Sequence, residues 1–213
     1  SISGFDFETN GAKVILENDL LYINDASFIY QDMVDAKANL KLDLNSLKIE
    51  GTSQINKILV KDSKNSKILN ITNKNSDIFM DFSKNVNIEL KDLKTTIKYD
   101  KFLTINVNDI SKIYNYSDIL KQNSINSGNI SLKIINKDNI DFNGFFSGFT
   151  IPIKKDNKEI NSLDFYGNIN KDRVQISSSD NSIRLNFKDN IDFFLDGYNI
   201  NYDENIGQNS KLE

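Results

Sequence analysis

Pairs of carboxylates are the residues of this chain whose spacing best suggests catalysis. Asp189 and Asp192, and likewise Asp32 and Asp35, stand close together in the sequence. Two such acids on opposite sides of a glycosidic bond can hydrolyse it, one as an acid and the other as a base or nucleophile. Aspartate is also favoured in turns, because its side chain hydrogen-bonds the local backbone. We interpret these residues as turn and surface residues, and a carboxylate-based hydrolase ranks last among the functions considered.

Residue types that are missing exclude most other catalysis. The sequence has no histidine and no cysteine, so it offers no thiol nucleophile, no histidine-assisted serine triad and no transition-metal site of the usual kind. The polar segments 62–64 and 203–204 could contact a hard cation through oxygen ligands, but neither has the spacing of an EF-hand loop. No glycine-rich segment leads from a strand into a helix, as a phosphate site requires. The sequence therefore predicts a protein that is not an enzyme and has no cofactor or metal.

Charge and composition limit the partners. The 26 basic and 30 acidic residues give a net charge of -4, and no basic block could follow a phosphate backbone. Nucleic acid is therefore not expected as a partner. The aromatic fraction of 10% is too high for a disordered segment, so we expect the chain to fold.

Apolar and polar residues alternate along most of the chain, most clearly in its second half. A period of two places successive side chains on opposite faces of a strand. Short alternating segments separated by turns, for example at residues 18–19, 24–25 and 45–46, indicate an antiparallel meander with one apolar and one hydrated face. The apolar positions of the second half include Ile130, Leu132, Ile134, Phe142, Phe146, Phe165, Ile169, Ile176, Leu185, Phe187, Phe193 and Leu195.

Three local features interrupt this pattern. Apolar residues recur at three- and four-residue spacings in residues 109–122, which predicts one or two short helices with Asn108 or Asp109 as the N-cap. Pro152 lacks a backbone donor and predicts a sheet edge or a kink. Bulges or sharp bends are expected at the glycines in strand patterns, namely Gly144, Gly148, Gly167 and Gly197.

The predicted helices are too short to cover the apolar face of a sheet of about a dozen strands. An uncovered apolar face can curl into a trough that binds acyl chains, with a gain of about 0.8 kcal/mol for each buried methylene. We therefore expect a mainly β fold, a long antiparallel meander curled into an open groove with one or two short helices. The twelve apolar residues given above would line the groove and bind phospholipid or another acyl-chain lipid.

A closed core is the alternative. In a β-sandwich or solenoid the same apolar face would be buried, and the protein would be a surface adhesin or interaction scaffold. Recognition would then lie on polar loops such as residues 62–67 or 156–159. Copurified lipid distinguishes the two, because only an open groove would retain it.

The ends of the chain suggest an excised segment. The sequence begins at Ser1 and ends in Leu212 and Glu213, which resemble residues that a cloning vector adds before a purification tag. We expect one β-groove domain at 1–207, a polar tail at 208–213, and a longer parent protein. No apolar run reaches the roughly 20 residues that span a bilayer, so any membrane anchor is expected outside this segment.

Short strand units with a cadence similar to the patterns G-x-I-x-L and I-x-L-x-G-x-I lie at residues 127–142, 160–167, 174–177 and 183–187, and the series ends with Gly197 and Tyr198. In these units, and in the helical break before them, the chain resembles the AsmA-like family of bacterial envelope proteins. The resemblance implies a periplasmic protein anchored in the inner membrane by an N-terminal helix. It also implies a long sheet of taco-like cross-section whose groove carries phospholipid between the membranes or supports envelope assembly. The family has no catalytic residues to transfer.

Overall fold

A computed structural model describes residues 8–30, 32–61, 67–83, 85–136, 138–155, 158–171, 173–187, 191–195 and 198–200. These residues form one antiparallel sheet, which confirms the predicted mainly β meander. Its first nine strands are β1 (Glu8–Asn10), β2 (Lys13–Glu17), β3 (Leu20–Tyr30), β4 (Val34–Asp43), β5 (Lys48–Lys61), β6 (Lys67–Asp81), β7 (Val86–Leu90), β8 (Thr95–Tyr99) and β9 (Leu103–Val107). The remainder are β10 (Ser127–Asn136), β11 (Asn139–Lys155), β12 (Lys158–Asn170), β13 (Arg173–Ser178), β14 (Ile183–Phe187), β15 (Ile191–Leu195) and β16 (Tyr198–Ile200). The tail expected at 208–213 lies outside the described residues.

Strand order follows the chain almost without exception. From β3 to β15 each strand pairs with the next one in sequence. At the N-terminal edge, β1 and β2 lie end to end along β3. Within the described strands, β15 has no pairing with β1, β2 or β3. The sheet is therefore open, as the sequence predicts.

Tight turns and bulges shape the strands. Asn18 and Asp19 have φ of 45° and 62°, the left-handed conformation of a two-residue hairpin turn. The turn expected at residues 24–25 is wrong: β3 continues through these residues, and Asp25, with φ of 57°, forms a bulge in the register against β4. Alternation resumes after one extra residue, so both halves of β3 keep their apolar side chains on the same face.

Short helices occur where the periodicity predicts them. Two 3₁₀ turns, Ile110–Lys112 and Tyr114–Tyr116, precede the five-residue helix α1 (Asp118–Gln122). The Asp109 side chain caps the first turn by accepting a hydrogen bond from the Ser111 backbone at 3.0 Å. Ser117 caps α1 by accepting from the Leu120 backbone at 3.4 Å. No helix in the described ranges is long enough to cross a bilayer.

This helical segment, residues 109–122, covers only part of the apolar face. It contacts β6 and β10. Tyr116 packs against the most buried apolar cluster, Ile55, Ile71 and Leu93, each of which is at most 3% exposed. A third 3₁₀ turn, Lys91–Leu93, supplies Leu93. The covered area thus lies around β5, β6 and β10.

The C-terminal end of the sheet curls strongly. β16 begins only three residues after the end of β15, and it pairs with residues 153–155 of β11, which lies four strands before β15. Three residues span about 11 Å at most, so the last strands must come round towards β11. The register of β11 shifts between Ser147 and Lys154, where Gly148 has φ of 83°. This shift confirms the kink predicted from Pro152 and the bend predicted from Gly148.

Candidate functional site

Side-chain parity places all twelve predicted groove residues on one face of the sheet. Directly paired residues of antiparallel strands share a face, and the paired positions link β10 to β15 without a change of side. We call this face the inner face and the opposite one the outer face. Eleven of the twelve side chains are described, and they are half-buried or, for Phe165, buried. The side chain of Phe193 lies outside the described side chains, although its backbone pairs with Leu185.

One row of paired residues crosses the whole sheet on the inner face. We call it the apolar row, and in strand order from β2 to β15 it contains Leu16, Leu21, Leu42, Ile49, Met80, Ile88, Ile97, Ile105, Leu132, Phe142, Gly167, Ile176, Leu185 and Phe193. No polar side chain interrupts it. With strands about 4.8 Å apart, the row is roughly 60 Å long. The first-half members were missed as site residues, although the alternation from Ala36 to Leu44 signals them.

The apolar row is only half covered. Apart from Leu16, which is 64% exposed, its described side chains are of intermediate exposure. No second sheet packs on the described strands. These side chains are shielded by the curl and by one another, and they remain accessible from within the groove.

Two phenylalanine–glycine pairs form the floor at β11 and β12. Phe142 pairs with Gly167, and Phe165 pairs with Gly144. A Cβ on Gly144 would lie 3.0 Å from Phe165 Cζ, and one on Gly167 would collide with the Phe142 ring. The rings therefore lie across the glycines, as aromatic residues do when they shield glycine in a sheet. The bulges predicted at Gly144 and Gly167 are wrong, because the register runs unbroken there; Gly197 lies outside the described residues.

A third ring completes the floor. The ring centroid of Phe146 lies 4.6 Å from that of Phe165, and that of Phe142 lies 6.4 Å from it. Such tilted contacts stabilise by about 0.5–1.5 kcal/mol beyond area burial. Phe165 is 5% exposed, so it stabilises the packing beneath the groove and offers a ligand little accessible surface.

The outer face of the same strands is hydrated. Asn168 donates hydrogen bonds to Asp141 at 2.7 Å and to Asn139 at 2.8 Å. Arg184 lies 4.1 Å from the ring centroid of Phe194, which is itself 44% exposed. The two faces thus differ in chemistry, as the alternation predicts.

The carboxylate pairs considered for catalysis do not form a described acid pair. Lys57 donates a hydrogen bond to Asp32 at 3.1 Å, and this hydrogen bond, together with the charge of Lys57, lowers the pKa of the Asp32 carboxyl. Asp35 accepts a hydrogen bond from Asn56 at 3.0 Å. Asp189 and residues 62–64 and 203–204 lie outside the described residues.

Local hydrogen bonds also lower the pKa values of other aspartates. Hydrogen bonds from Ser46 and the Asn45 backbone lower the pKa of Asp43, and the backbone donors of Phe102 and Lys101 lower that of Asp100. Asp100 is an exposed residue between two strands, and Asp43 is the half-buried last residue of β4, so their lowered pKa values reflect local hydrogen bonds.

Comparison with known proteins adds no relative. The chain matches no protein-family model, no curated protein and no solved structure.

Proposed function

We propose that this protein binds acyl-chain lipid in the groove formed by the inner face, without catalysis, and lets lipid move along it. The observation that carries the proposal is the apolar row, which is continuous from β2 to β15 and only half covered. An uninterrupted apolar path suits a ligand that is itself a long apolar chain. By contrast, a single compact ligand would need one enclosed pocket with a few convergent polar groups.

Dimensions support an acyl chain as the occupant. One bilayer leaflet has a hydrocarbon depth of about 15 Å, half of the usual 30 Å core. Strands spaced about 4.8 Å apart cover that length in three steps. The row of roughly 60 Å could therefore hold several chains end to end, which is what conduction along the groove requires.

The energetic balance favours occupation. Every methylene that leaves water for the groove gains about 0.8 kcal/mol. The inner face also gains, because its own half-exposed Leu, Ile and Phe side chains lose contact with water. A charged side chain in the path would reverse this gain locally, since a carboxylate without a partner is costly to desolvate.

Lipid uptake by matched variants tests the proposal. Delipidated protein should take up a fluorescent phospholipid, and native mass spectrometry of gently extracted protein should show bound lipid. Leu132→Asp introduces a charge in the middle of the apolar row, between Ile105 and Phe142. If it excludes about three methylenes from the row, the affinity should fall by roughly 2.4 kcal/mol, or about 50-fold.

Asn129→Asp is the control, because it adds the same charge to the exposed outer face of the same strand β10. Leu185→Asp is a second test further along the row, should Leu132→Asp unfold. Circular dichroism establishes that each variant is folded. Absence of uptake by folded wild type, or equal loss in Leu132→Asp and Asn129→Asp, would reject the proposal.

The cellular setting follows from the resemblance to AsmA-like proteins. We place the protein in the periplasm, held to the inner membrane by a segment outside this chain, where its groove would support lipid transport or envelope assembly between the membranes. The alternative is an adhesin or interaction scaffold, which predicts extracted protein free of lipid. Fractionation of cells that express the full-length protein tests the location.

A further inference from the structure

We infer that the outer face carries a saccharide-binding site, formed by β11, β12 and β13 around Tyr166. A cleft of about 410 Å³ lies there, lined by Asp141, Phe142, Asn143, Tyr166, Gly167, Asn168, Gln175 and Ser177. It does not depend on the groove, because its polar side chains point away from the inner face. Its volume is within the usual range for small-molecule sites, about 300–1,000 Å³.

An exposed aromatic ring borders this cleft. Tyr166 is 46% exposed, although it stands among polar side chains on the hydrated side of the sheet. Its hydroxyl donates a hydrogen bond of 2.6 Å to Asn181 Oδ1, which holds the ring in place. The negative face of a fixed aromatic ring attracts the C–H groups that line one face of a pyranose.

Polar side chains stand beside the ring. Asn143 and Ser177 pair directly with Tyr166 across the strands, and Gln175 pairs with Asn168 one step along. An amide presents a donor and an acceptor side by side, and a carboxylate presents two acceptors, so each can contact two neighbouring hydroxyls. Asn168 is held by Asp141 and Asn139, so part of this polar surface is ordered before any ligand binds.

The size and charge of the cleft restrict the class of ligand further. Three strands and two residues along each give a footprint of roughly 10 by 7 Å, which suits one or two sugar rings. Asp141 is the one charged residue among the described lining residues, so an anionic ligand such as a phosphate is disfavoured. The polar lining disfavours an acyl chain. A larger outer cleft of about 750 Å³ between β3 and β6 has no aromatic residue in its described lining and lacks this combination.

Soluble oligosaccharides test the inference. Cellohexaose, maltohexaose and chitohexaose are titrated into the full chain and followed by calorimetry and by ¹H–¹⁵N chemical shifts. At least one should bind with millimolar affinity or better, and shifts should centre on β11–β13. Tyr166→Ala should weaken binding about tenfold, the loss of one aromatic stack, and Gln175→Ala should weaken it as well.

Tyr99→Ala is the control matched in exposure, because Tyr99 is 49% exposed, close to the value for Tyr166, and lies away from the cleft, on the inner face of β8. It should leave saccharide affinity unchanged. Leu132→Asp should also leave it unchanged, which separates this inference from lipid binding. No binding of any of the three probes, or equal weakening by Tyr166→Ala and Tyr99→Ala, would overturn the inference.

Discussion

Replacing one of two neighbouring phenylalanines with alanine should show which face of the sheet is the packed one. Phe165 and Phe145 lie on adjacent strands but on opposite faces. Phe165 is 5% exposed, whereas Phe145 is 39% exposed. For a side chain of about 200 Å², this difference of a third of the surface corresponds to nearly 2 kcal/mol. The ring contacts of Phe165 with Phe146 and Phe142 add about 1 kcal/mol.

Phe165→Ala should therefore lower the free energy of unfolding by about 3–5 kcal/mol, the usual range for a buried phenylalanine. Phe145→Ala should lower it by about 2–3 kcal/mol less than that. Urea unfolding followed by circular dichroism measures both, with unchanged m-values as the condition for comparing midpoints. Equal losses, or a larger loss at Phe145, would refute the assignment of the inner face as the packed side of a curled sheet.

Three further predictions concern the glycines, the helix cap and pH. Gly167→Ala should destabilise by about 1–3 kcal/mol, because a methyl group there would collide with both the Phe142 ring and the Gln175 backbone carbonyl oxygen; a neutral thermal melt would contradict this close packing around the glycine. Ser117→Ala should lower stability by about 1 kcal/mol through loss of the α1 cap, whereas Ser117→Gly, which fits this buried position, should lower it by only a few tenths of a kcal/mol in the same denaturation assay. The folded-state pKa values of Asp43, Asp100 and Asp109 are lowered from 3.8, so their stabilisation is present above that value and is lost as the pH falls through the folded values. With no histidine in the chain, stability measured by urea titration should stay level from about pH 8 to 5 and decline below about pH 4; a decline near pH 6.5 would contradict this.

Alternation alone predicted the chemistry of the two faces. In a protein with one sheet, the period-two pattern depends only on which face of the sheet is in contact with water. Residues such as Leu132 and Leu185 can therefore be assigned to one face without knowing which strands pair with theirs. The helical segment could also be predicted from the sequence. Aspartate is a favoured N-cap residue, and Asp109 caps the first turn in the structure.

The alternation of apolar and polar residues does not predict bulges or pairings between strands that are distant in the sequence. Because aspartate favours turns, the sequence predicts Asp25 as part of a turn, yet a residue with left-handed backbone angles occurs equally well in a bulge. The glycines paired with Phe142 and Phe165 require knowledge of register, which links residues more than 20 positions apart. The pairing of β16 with β11 depends on the curl of the intervening strands and has no local signal.

The sequential strand order has a consequence for how the chain acquires its structure. Because almost every strand pairs with its immediate neighbour in sequence, most pairings close short loops. Hairpins can therefore form one after another, and each costs little loop-closure entropy. A sheet of this kind can change in length by whole hairpins while the remaining pairings stay as they are, much as repeat proteins gain or lose units. The contact between β16 and β11 is different, because it forms only after β12 to β15 are in place. It should therefore be the last part of the described sheet to form and the first to open.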